Sequence, residues 1–508
     1  MRKILLTIAA LVLMYYNSYS QTTIPGGIVS GTWTHAGSPY NIMGPIMIPD
    51  GSTLTIEPGA FVNFQGTYKL YVLGQLLAIG NSRDSITFTA SDTTNGWYGI
   101  RFDNTPETND TSRLINCKLL YGKAAGNNFD NAGGALYFFM FSKAIISNCR
   151  ISNCATNFLG GAIFCNYSSP IIRNNTISNN TSYLGGGISC YNSDSSHIIT
   201  NNIISNNSAF SGGGIYFNGN VTIRNNFISN NSATYGGGIS CDNNTNYTNI
   251  SNNILSNNSA SYGGALACTA AGSLIITNTT MANNQAEYGG ALHFDNVYPT
   301  LRNTILYGNT ASMSGAQVFL TNENCDPDFY YCDVQGGTSA FGFGSGYFYT
   351  GIYQNNIDTI PAFMAESAGS GSGYNGLAAD WSLQSGSPCI NAGDPVGTYP
   401  ATDLAGYPRI FDSTIDIGAY EFQGYVSINS IHKQDALNIY PNPVIDNLVV
   451  EKPQKSTLQI LNTNGQIIKT IHNDLPRKTI YLGDLSSGVY MLKAITGNEV
   501  TVKRFIKL

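Results

Sequence analysis

The chain has 508 residues, of which 11% are charged, with 24 Lys and Arg against 30 Asp and Glu and a net charge of -6. Ordinary globular proteins carry about 25% charged residues, and the many β-branched residues, tyrosines and turn formers of this chain exclude a disordered protein. The weak negative charge without any basic cluster argues against nucleic acid as a partner. An all-β protein is therefore predicted.

The first twenty residues have the layout of a cleaved signal peptide. Arg2 and Lys3 form a basic start, residues 4–16 are almost entirely apolar, and a short polar stretch follows at 17–20. The apolar stretch is shorter than the roughly 20 residues that a membrane-spanning helix needs. Residues 1–20 are therefore predicted to be a signal peptide, and the mature chain is predicted to be secreted or displayed on the cell surface.

Residues 21–100 contain short β-branched and aromatic runs, each closed by a Pro-Asp-Gly, Pro-Gly or Gly turn. Such runs bounded by turn residues predict strands. We interpret this region as an N-terminal cap followed by the first, less regular coils of a repeat structure.

Residues 101–320 contain an internal repeat. Glycine strings such as GGALYF, GGGIYF and GGALHF recur every 24 to 27 residues, and an asparagine-rich block such as IIRNNTISNN follows each string. Each unit therefore holds three short strand-like pieces. Leucine-rich and propeller arrays are the alternatives, but their Leu-x-x-Leu-x-Leu and Trp-Asp signatures are missing.

Aligning the units predicts which side chains point inward. One column is uniformly aliphatic and the residues directly before it are mixed, which is the period-two pattern of a strand with one buried face. Three of the predicted inward columns are Ile146, Ile172, Ile199, Ile223, Ile250, Ile276 and Leu301; Ile151, Ile177, Ile204, Ile228, Leu255, Met281 and Leu306; and Phe138, Cys165, Cys190, Phe217, Cys241, Cys268 and Phe294.

Asparagine fills a further column, and it is the non-glycine residue that best tolerates a left-handed turn. Stacked asparagine amides can also bond to one another one coil apart. Three short strands, two asparagine turns and one longer turn predict a single-stranded right-handed parallel β-helix. The asparagine column is Asn116, Asn148, Asn174, Asn201, Asn225, Asn252, Asn278 and Asn303.

The repeats resemble those of polymorphic outer-membrane proteins and related right-handed β-helix proteins. The shared motifs are GGA[IL] and IxxN, as in GGALY with ISNC and GGGIY with ISNN. The resemblance covers roughly residues 101–320 and implies the fold and an exported context. It implies no particular activity.

Four of the ten cysteines lie in an inward column where they alternate with phenylalanine. They are predicted to fill the core, and a bridge between neighbouring coils is the alternative, because adjacent strands lie about 4.8 Å apart. Cys325 and Cys332, in CDPDFYYC, are predicted to form a disulfide. A metal bound by cysteine is not predicted, because no CxxC or histidine cluster accompanies these residues.

Residues 321–425 are predicted to cap the last coil. SPCINAGDP, TDLAGYPRI and IDIGAYEF resemble the terminal segment, called choice-of-anchor, of many bacterial β-helix surface proteins. In our first interpretation Arg409 pairs with a carboxylate there. The alternative is a calcium site, since clustered oxygen ligands suit hard cations. Its predicted ligands are Asp394, Asp403, Asp416 and Glu421.

Lysine and arginine return after a predicted linker at 426–436, and residues 437–508 read as a small β-sandwich. LNIYPNPVIDNLVVE, LSSGVYMLK and VKRFIKL resemble the type A C-terminal sorting domain of type IX secretion substrates. The resemblance implies export by the type IX machinery, removal of the domain and, for many substrates, attachment to surface lipopolysaccharide. The matching residues include Pro441, Asn442, Pro443, Gly488, Tyr490, Lys503 and Arg504.

An enzyme acting on polysaccharides, a lyase or a glycoside hydrolase, is one functional hypothesis. Asp242 and Asp295 are predicted to face outward two coils apart, about 10 Å, which suits an inverting carboxylate pair. His293 is predicted to face outward beside Asp295. A flat, solvated strand offers neither acid the desolvation that a general acid needs, so this hypothesis takes second place.

The leading hypothesis is a surface adhesin or structural protein that binds glycans and needs no cofactor. An aromatic residue lies directly before each glycine run or one residue earlier. Such rings can face sugars, and the alternative is a packing ladder that stiffens the stack. The aromatic residues are Phe158, Tyr183, Phe210, Tyr235, Tyr262 and Tyr288.

Overall fold

A computed structural model describes residues 21–126, 128–193, 197–242, 247–269, 272–397, 399–424, 437–451, 455–463, 465–496 and 499–508. The predicted signal peptide (1–20) and the predicted linker (426–436) lie outside the described residues.

Most of the chain winds into a stack of coils, and each coil contributes one strand to each of three parallel sheets. Each sheet has 13 strands, and neighbouring strands in a sheet come from successive coils. The predicted parallel β-helix is confirmed. We name the sheets by their order within a coil: the glycine sheet follows the glycine run, the middle sheet comes next, and the asparagine sheet lies between the two asparagine turns.

The strand bounds show how evenly the coils repeat. The glycine sheet consists of Gly27–Ile28, Ile46–Ile48, Leu70–Val72, Ile100–Asp103, Leu136–Phe139, Ile163–Asn166, Ile188–Ser193, Ile215–Gly219, Ile239–Asp242, Leu266–Thr269, Leu292–Asp295, Val318–Leu320 and Phe341–Phe343. The middle sheet consists of Gly31–Trp33, Thr53–Ile56, Gln75–Ile79, Ser112–Ile115, Ala144–Ser147, Ile171–Arg173, Ile198–Thr200, Thr222–Arg224, Tyr247–Ser251, Ser273–Thr277, Thr300–Arg302, Asp328–Tyr330 and Tyr353–Gln354. The asparagine sheet consists of Thr22–Ile24, Tyr40–Ile42, Phe61–Phe64, Ile86–Ala90, Cys117–Leu120, Arg150–Ser152, Thr176–Ser178, Ile203–Ser205, Phe227–Ser229, Ile254–Ser256, Thr280–Ala282, Ile305–Tyr307 and Asp333–Val334.

The core lies inside the coils, where the predicted inward columns meet. Every side chain of the three inward columns given above is at most 1% exposed. The register of the strands aligns the same residue type in neighbouring coils: Ile172 pairs with Ile199, and Ile177 pairs with Ile204. Each buried aliphatic side chain contributes about 1.5–3 kcal/mol, so the columns are the main source of stability and are confirmed as predicted.

Each asparagine turn uses two consecutive residues for different purposes. The first, such as Asn174 or Asn201, has a left-handed backbone, with φ of 56° at both. The second, such as Asn175 or Asn202, is buried. Because the left-handed residue turns the chain, the next side chain points into the stack. The predicted left-handed turn is confirmed, whereas the amide ladder lies mainly one residue later than predicted.

Two ladders of buried asparagine amides run along the stack. Asn202 Nδ2, for example, donates to Asn226 Oδ1 in the next coil at 3.0 Å and to Ile172 O in the preceding coil at 3.1 Å. Asn226 Oδ1 also accepts the backbone N–H of Asn202. Bonding both ends of each amide offsets the cost of burying it. The ladders are Asn175, Asn202, Asn226 and Asn253, and Asn180, Asn207, Asn231, Asn258, Asn284 and Asn309.

Cysteine continues both ladders toward the N-terminus. The backbone N–H of Cys149 donates to Asn175 Oδ1 at 2.9 Å, and its thiol donates to Leu114 O at 3.3 Å. Cys154 precedes the second ladder and makes the same two kinds of hydrogen bond. Cys117 lies one coil before Cys149, and its thiol also donates to a carbonyl of the preceding coil. The thiol therefore takes over the donor role of the amide, which the sequence analysis did not foresee.

One disulfide links neighbouring coils, between Cys241 and Cys268, whose Cα atoms lie 4.7 Å apart. The predicted pairing of Cys325 with Cys332 is wrong, since both thiols are free and buried. The two residues lie at different corners of one coil, because Cys325 precedes the strand Asp328–Tyr330 and Cys332 follows it.

Residues 358–424, the fold-back segment, run along the outer face of the asparagine sheet. Trp381 and Ile417 form one buried apolar cluster with the outward side chains Phe227 and Ile254 of that sheet. Left-handed asparagines of the turns hold the segment through hydrogen bonds. Asn257 Nδ2 donates to Gly369 O, Asn252 Nδ2 to Thr402 O, and Asn283 Nδ2 to Ser367 Oγ.

The predicted cap at 321–425 therefore contains two kinds of structure. Coils continue to Tyr353–Gln354, beyond the regular repeat at 101–320, and the fold-back segment follows.

Two small strand pairs lie outside the three main sheets: Gln285–Tyr288 with Thr310–Ser314, and Phe363–Ala365 with Asp380–Leu383.

The C-terminal region forms the predicted small antiparallel module. Leu458, Leu492 and Phe505 in its core are fully buried. Its sheets are Asn438–Tyr440, Asn447–Glu451 and Arg477–Tyr481, and Ile467–Asn473, Ser456–Leu461, Gly488–Thr496 and Glu499–Lys507. In the described part of the chain the helices are all short 3-10 turns, at His35–Gly37, Asn128–Asn131, Gly337–Ala340 and Gly376–Ala378.

Candidate functional site

The glycine run carries the chain from the second asparagine turn into the glycine sheet. Its first glycine is left-handed, with φ of 66° at Gly212. Its second has no room for a side chain, because a Cβ on Gly213 would lie 2.4 Å from Gly237 O in the next coil. The third position accepts alanine, as at Ala162. Backbone packing between coils thus selects the glycine pattern.

The six aromatic side chains before the runs form one row, which we call the aromatic stripe: Phe158, Tyr183, Phe210, Tyr235, Tyr262 and Tyr288. Rings in neighbouring coils stack, with centroids 4.9 Å apart for Tyr183 and Phe210 and 5.0 Å apart for Tyr235 and Tyr262. Phe210 and Tyr235 meet edge to face, at 67°. This change from stacked to edge-to-face geometry has a local cause. Ser211 separates Phe210 from its glycine run, whereas Tyr235 directly precedes its own glycine run.

The stacking decides what the stripe can offer to a ligand. Faces lie against one another between Tyr183 and Phe210, between Tyr235 and Tyr262, and between Tyr262 and Tyr288. Each such pair contributes about 0.5–1.5 kcal/mol to stability. The stripe nevertheless remains partly open, with Tyr183 49% and Phe210 41% exposed. In the stacked pairs the covered ring faces restrict the stacking of a sugar, which leaves the ring edges and, in the tyrosines, the hydroxyl groups for a ligand.

A polar column lies parallel to the aromatic stripe, at the end of each glycine-sheet strand. Its half-buried members are Tyr191, Asn218, Asp242, Thr269 and Asp295. Asp242 aligns with Thr269, and Thr269 aligns with Asp295, so the two acids are two coils apart as predicted. Tyr216 Oη donates to Asp242 Oδ2 at 3.4 Å, and Asn322 Nδ2 donates to Asp295 Oδ1 at 2.7 Å.

His293 does not lie open beside Asp295, and this part of the predicted acid pair is corrected. The side chain is 5% exposed because the rings of Tyr262 and Phe319 cover it, with centroids 5.1 and 5.9 Å away. Its Nε2 lies 3.0 Å from Thr321 Oγ1. Burial lowers the pKa of His293 to about 4, so the imidazole is neutral at neutral pH and packs the floor between the aromatic stripe and the polar column.

Asp403, Asp416 and Glu421 of the fold-back segment lie around Arg409. Its guanidinium was predicted to pair with a carboxylate, but it donates to the backbone carbonyls of residues 416, 418 and 419. Asp394 forms an ion pair with Arg302. Asp403 and Glu421 accept backbone N–H groups.

No group of three or more His, Cys, Asp or Glu side chains among the described residues has an arrangement that could hold a metal ion. The predicted calcium ligands Asp403, Asp416 and Glu421 thus serve the backbone around Arg409. Burial, with the neighbouring carboxylate of Asp416, raises the pKa of Glu421 to about 8, and burial raises the pKa of Asp416 to about 6.

The fold-back segment is expected to be less stable at pH 8 than at pH 5. Glu421 is protonated in the fold up to about pH 8, whereas an unfolded glutamate has a pKa of about 4.3. This stabilisation is therefore complete below about pH 4.3 and is lost as the pH rises through 8. We expect a loss on the order of 2 kcal/mol, measured as native-state hydrogen exchange of residues 403–422 corrected for intrinsic exchange rates.

Glu421→Gln, which cannot ionise, should remove much of this pH dependence. The matched control is Glu287→Gln, a carboxyl group that accepts a hydrogen bond from Ser261 Oγ on the exposed side of a coil. Equal protection at both pH values in the unmodified protein would contradict the expectation.

The predicted sorting residues gather around the last strand. Asn442 Oδ1 accepts the backbone N–H of Ile506 at 2.7 Å, and Asn442 Nδ2 donates to Arg504 O at 3.2 Å. Tyr490 Oη donates to Ser486 O at 2.8 Å. Pro441 and Pro443 flank Asn442, Gly488 pairs with Lys507, and Lys503 pairs with Leu492.

Arg504 also contacts the fold-back segment. Its Nη1 donates to Tyr420 Oη at 2.6 Å, and its Nη2 lies 3.7 Å from Asp380 Oδ1. Ile506 is 5% exposed in the same apolar cluster as Trp381. Sequence reasoning missed these contacts, because no repeat or spacing relates residues of the two regions.

Within the described ranges, no helix has both the length and the apolar composition needed to cross a membrane.

Comparison with known families supports both the description of the β-helix and that of the C-terminal module. The family described as right handed beta helix region matches residues 44–211 and 114–286. The family described as secretion system C-terminal sorting domain matches residues 438–508. No curated protein and no solved structure matches the chain.

Proposed function

We propose that this right-handed β-helix protein, whose type IX sorting domain indicates export to the cell surface or secretion, binds extracellular polysaccharide along the aromatic stripe and the polar column. The type IX machinery is the partner that the sorting domain implies. We further propose that the sorting domain is removed on export and that surface lipopolysaccharide retains the mature protein.

The observation that carries the proposal is the pair of parallel rows, one aromatic and one polar, repeated once per coil. Adjacent coils lie about 4.8 Å apart, which is close to the length of one sugar ring in an extended polysaccharide. A linear glycan lying along the stack would therefore meet one aromatic side chain and one side chain of the polar column at each coil. A periodic ligand gains affinity from many such weak contacts.

The ring stacking specifies how the aromatic stripe would contribute. Because the faces of Tyr235 and Tyr262 lie against one another, their hydroxyl groups and ring edges would contact the ligand. Phenol hydroxyl groups both donate and accept hydrogen bonds, which suits the hydroxyl groups of sugars. The polar column would add carboxylate and amide partners on the other side.

Removing two stripe hydroxyl groups is expected to weaken polysaccharide binding about tenfold, since each hydrogen bond contributes about 0.5–1.5 kcal/mol. The variant is Tyr235→Phe with Tyr262→Phe, which keeps the ring stack. The alanine double variant at the same positions should bind more weakly still and melt at a lower temperature. Binding is measured on a glycan array and by titration with the glycans that it identifies.

Tyr407→Ala, which removes a half-exposed ring of the fold-back segment, is the control and should bind normally. Asp242→Asn keeps a hydrogen-bonding side chain at that place in the polar column and should therefore also retain binding, and product analysis should show polysaccharide of unchanged length. Shortened polysaccharide that is lost with Asp242→Asn would instead favour the lyase or hydrolase hypothesis. Unchanged binding by both double variants would reject the aromatic stripe as the ligand site.

A further inference from the structure

Two inward cysteines in the coils of Phe158 and Tyr183 are arranged like the disulfide that the structure contains. Cys165 aligns with Cys190 in the next coil of the glycine sheet, as Cys241 aligns with Cys268. All four side chains are at most 1% exposed in the core. In-register parallel strands bring Cα atoms within the range of about 4.4–6.8 Å that a disulfide bridges.

The surroundings of the two pairs of free thiols differ. Cys117 and Cys149 are also neighbours, but each donates its S–H group to a carbonyl of the preceding coil, at 3.3 Å for both. A disulfide there would leave these buried carbonyls without their donors. The thiols of Cys165 and Cys190 also lie within hydrogen-bonding reach of each other, as those of Cys117 and Cys149 do, but the further neighbour of Cys190 is the imidazole of His197.

We propose that Cys165 and Cys190 form a second disulfide between coils, whereas Cys117 and Cys149 remain thiols. Export places the chain where disulfides form and persist. The oxidant would be the disulfide of an extracytoplasmic thiol oxidase. The Cys190 thiolate attacks that disulfide and displaces one oxidase thiolate, and Cys165 then attacks the mixed disulfide and displaces the second.

The reaction balances as two cysteine thiols plus one oxidase disulfide giving one cysteine disulfide plus one oxidase dithiol. His197 takes the proton of Cys190 and passes it on, so that this proton and the proton of Cys165 end on the two displaced oxidase thiolates. Because both sulfur atoms are covered in the finished stack, the exchange takes place after Cys190 has come beside Cys165 and His197 but before the surrounding coils cover the two sulfur atoms.

The electrostatics of the pair agree with this order of attack. Burial alone raises the pKa of Cys190, but the hydrogen bond with Cys165 and the proximity of His197 lower it to about 5. Burial raises the pKa of Cys165. Cys190 is therefore the thiolate and the first nucleophile, since the thiolate is the reactive form.

The test is peptide mapping of the exported protein, alkylated under denaturing conditions without reductant. Trypsin cuts after Arg150, Arg173 and Arg224, so the proposed disulfide joins the peptides 151–173 and 174–224. The expected result is this joined pair, with Cys154 in the first peptide alkylated, and with Cys117 and Cys149 alkylated. Alkylation of both Cys165 and Cys190 in protein that contains the Cys241–Cys268 disulfide would overturn the proposal.

Variants provide a second measurement. Cys165→Ala with Cys190→Ala should lower the melting temperature in oxidising buffer and should respond less to reductant than the unmodified protein. Cys117→Ala with Cys149→Ala should leave the joined peptides and the response to reductant unchanged. His197→Gln should slow formation of the 165–190 disulfide during refolding without slowing that of 241–268, and equal slowing of both would exclude a direct role for His197.

Discussion

Asn207→Ala is expected to destabilise the β-helix by on the order of 4 kcal/mol. Asn207 Oδ1 accepts both the backbone N–H and the Nδ2 group of Asn180, at 3.0 and 2.9 Å. Its own Nδ2 donates to Ile177 O and to Asn231 Oδ1, both at 3.0 Å. Alanine removes all four bonds and leaves their partners buried, where each unpaired group costs about 1–3 kcal/mol. Chemical denaturation monitored by circular dichroism measures the loss.

The residue directly before provides the matched control. Asn206 is exposed and has a left-handed backbone, with φ of 55°. Glycine adopts that conformation freely, so Asn206→Gly should change the free energy of unfolding by about 0.5 kcal/mol or less. A similar loss of unfolding free energy for Asn206→Gly and Asn207→Ala would show that the hydrogen bonds of the ladder amides do not stabilise the stack more than an exposed turn residue does.

Gly213→Ala is the second substitution with a large expected effect, on the order of 3 kcal/mol or more. The added Cβ would lie 2.4 Å from Gly237 O and 2.6 Å from Ser232 O, which belong to the backbone of the next coil. Since backbone atoms cannot rotate away as a side chain can, the two coils must separate locally. The melting temperature and the yield of folded protein both report this loss.

The next glycine is the control for this substitution. At Gly214 an added Cβ would meet one close backbone atom, Gly238 O at 2.6 Å, and alanine already occupies the equivalent position of other coils, as at Ala162 and Ala265. Gly214→Ala should therefore cost about 1 kcal/mol or less. Equal costs at the two positions would mean that the glycine run is selected for its conformation and not for the spacing of the coils.

These two predictions concern the features that set the position of the candidate binding face. The glycine run fixes the spacing of coils beside the aromatic stripe, and the asparagine ladders fix the turns on both sides of the asparagine sheet. A change at Gly213 should therefore also disturb polysaccharide binding, because the rings of Phe210 and Tyr235 flank that coil. Asp242→Asn leaves the backbone of the stack unchanged and should retain binding, so it is the control for the change at Gly213.

The repeat by itself determined the fold. Period-two alternation identified the inward columns, and the asparagine spacing identified the left-handed turns, because both depend on local backbone geometry that every coil repeats. The strands and turns of the C-terminal module could be predicted for the same reason, because they too depend on neighbouring residues. The sequence of that module also resembled a known sorting domain. The two-coil spacing of Asp242 and Asp295 followed from counting coils.

Only the tertiary structure decided which side chains meet across coils and across regions. It moved the asparagine ladder one residue later, because the direction of a side chain after a left-handed residue depends on the path of the turn. It paired Cys241 with Cys268 and covered His293 with the rings of Tyr262 and Phe319. It also laid the fold-back segment along the asparagine sheet. That segment has no repeat, so its position depends on the apolar face that the finished stack presents, which local sequence patterns do not encode.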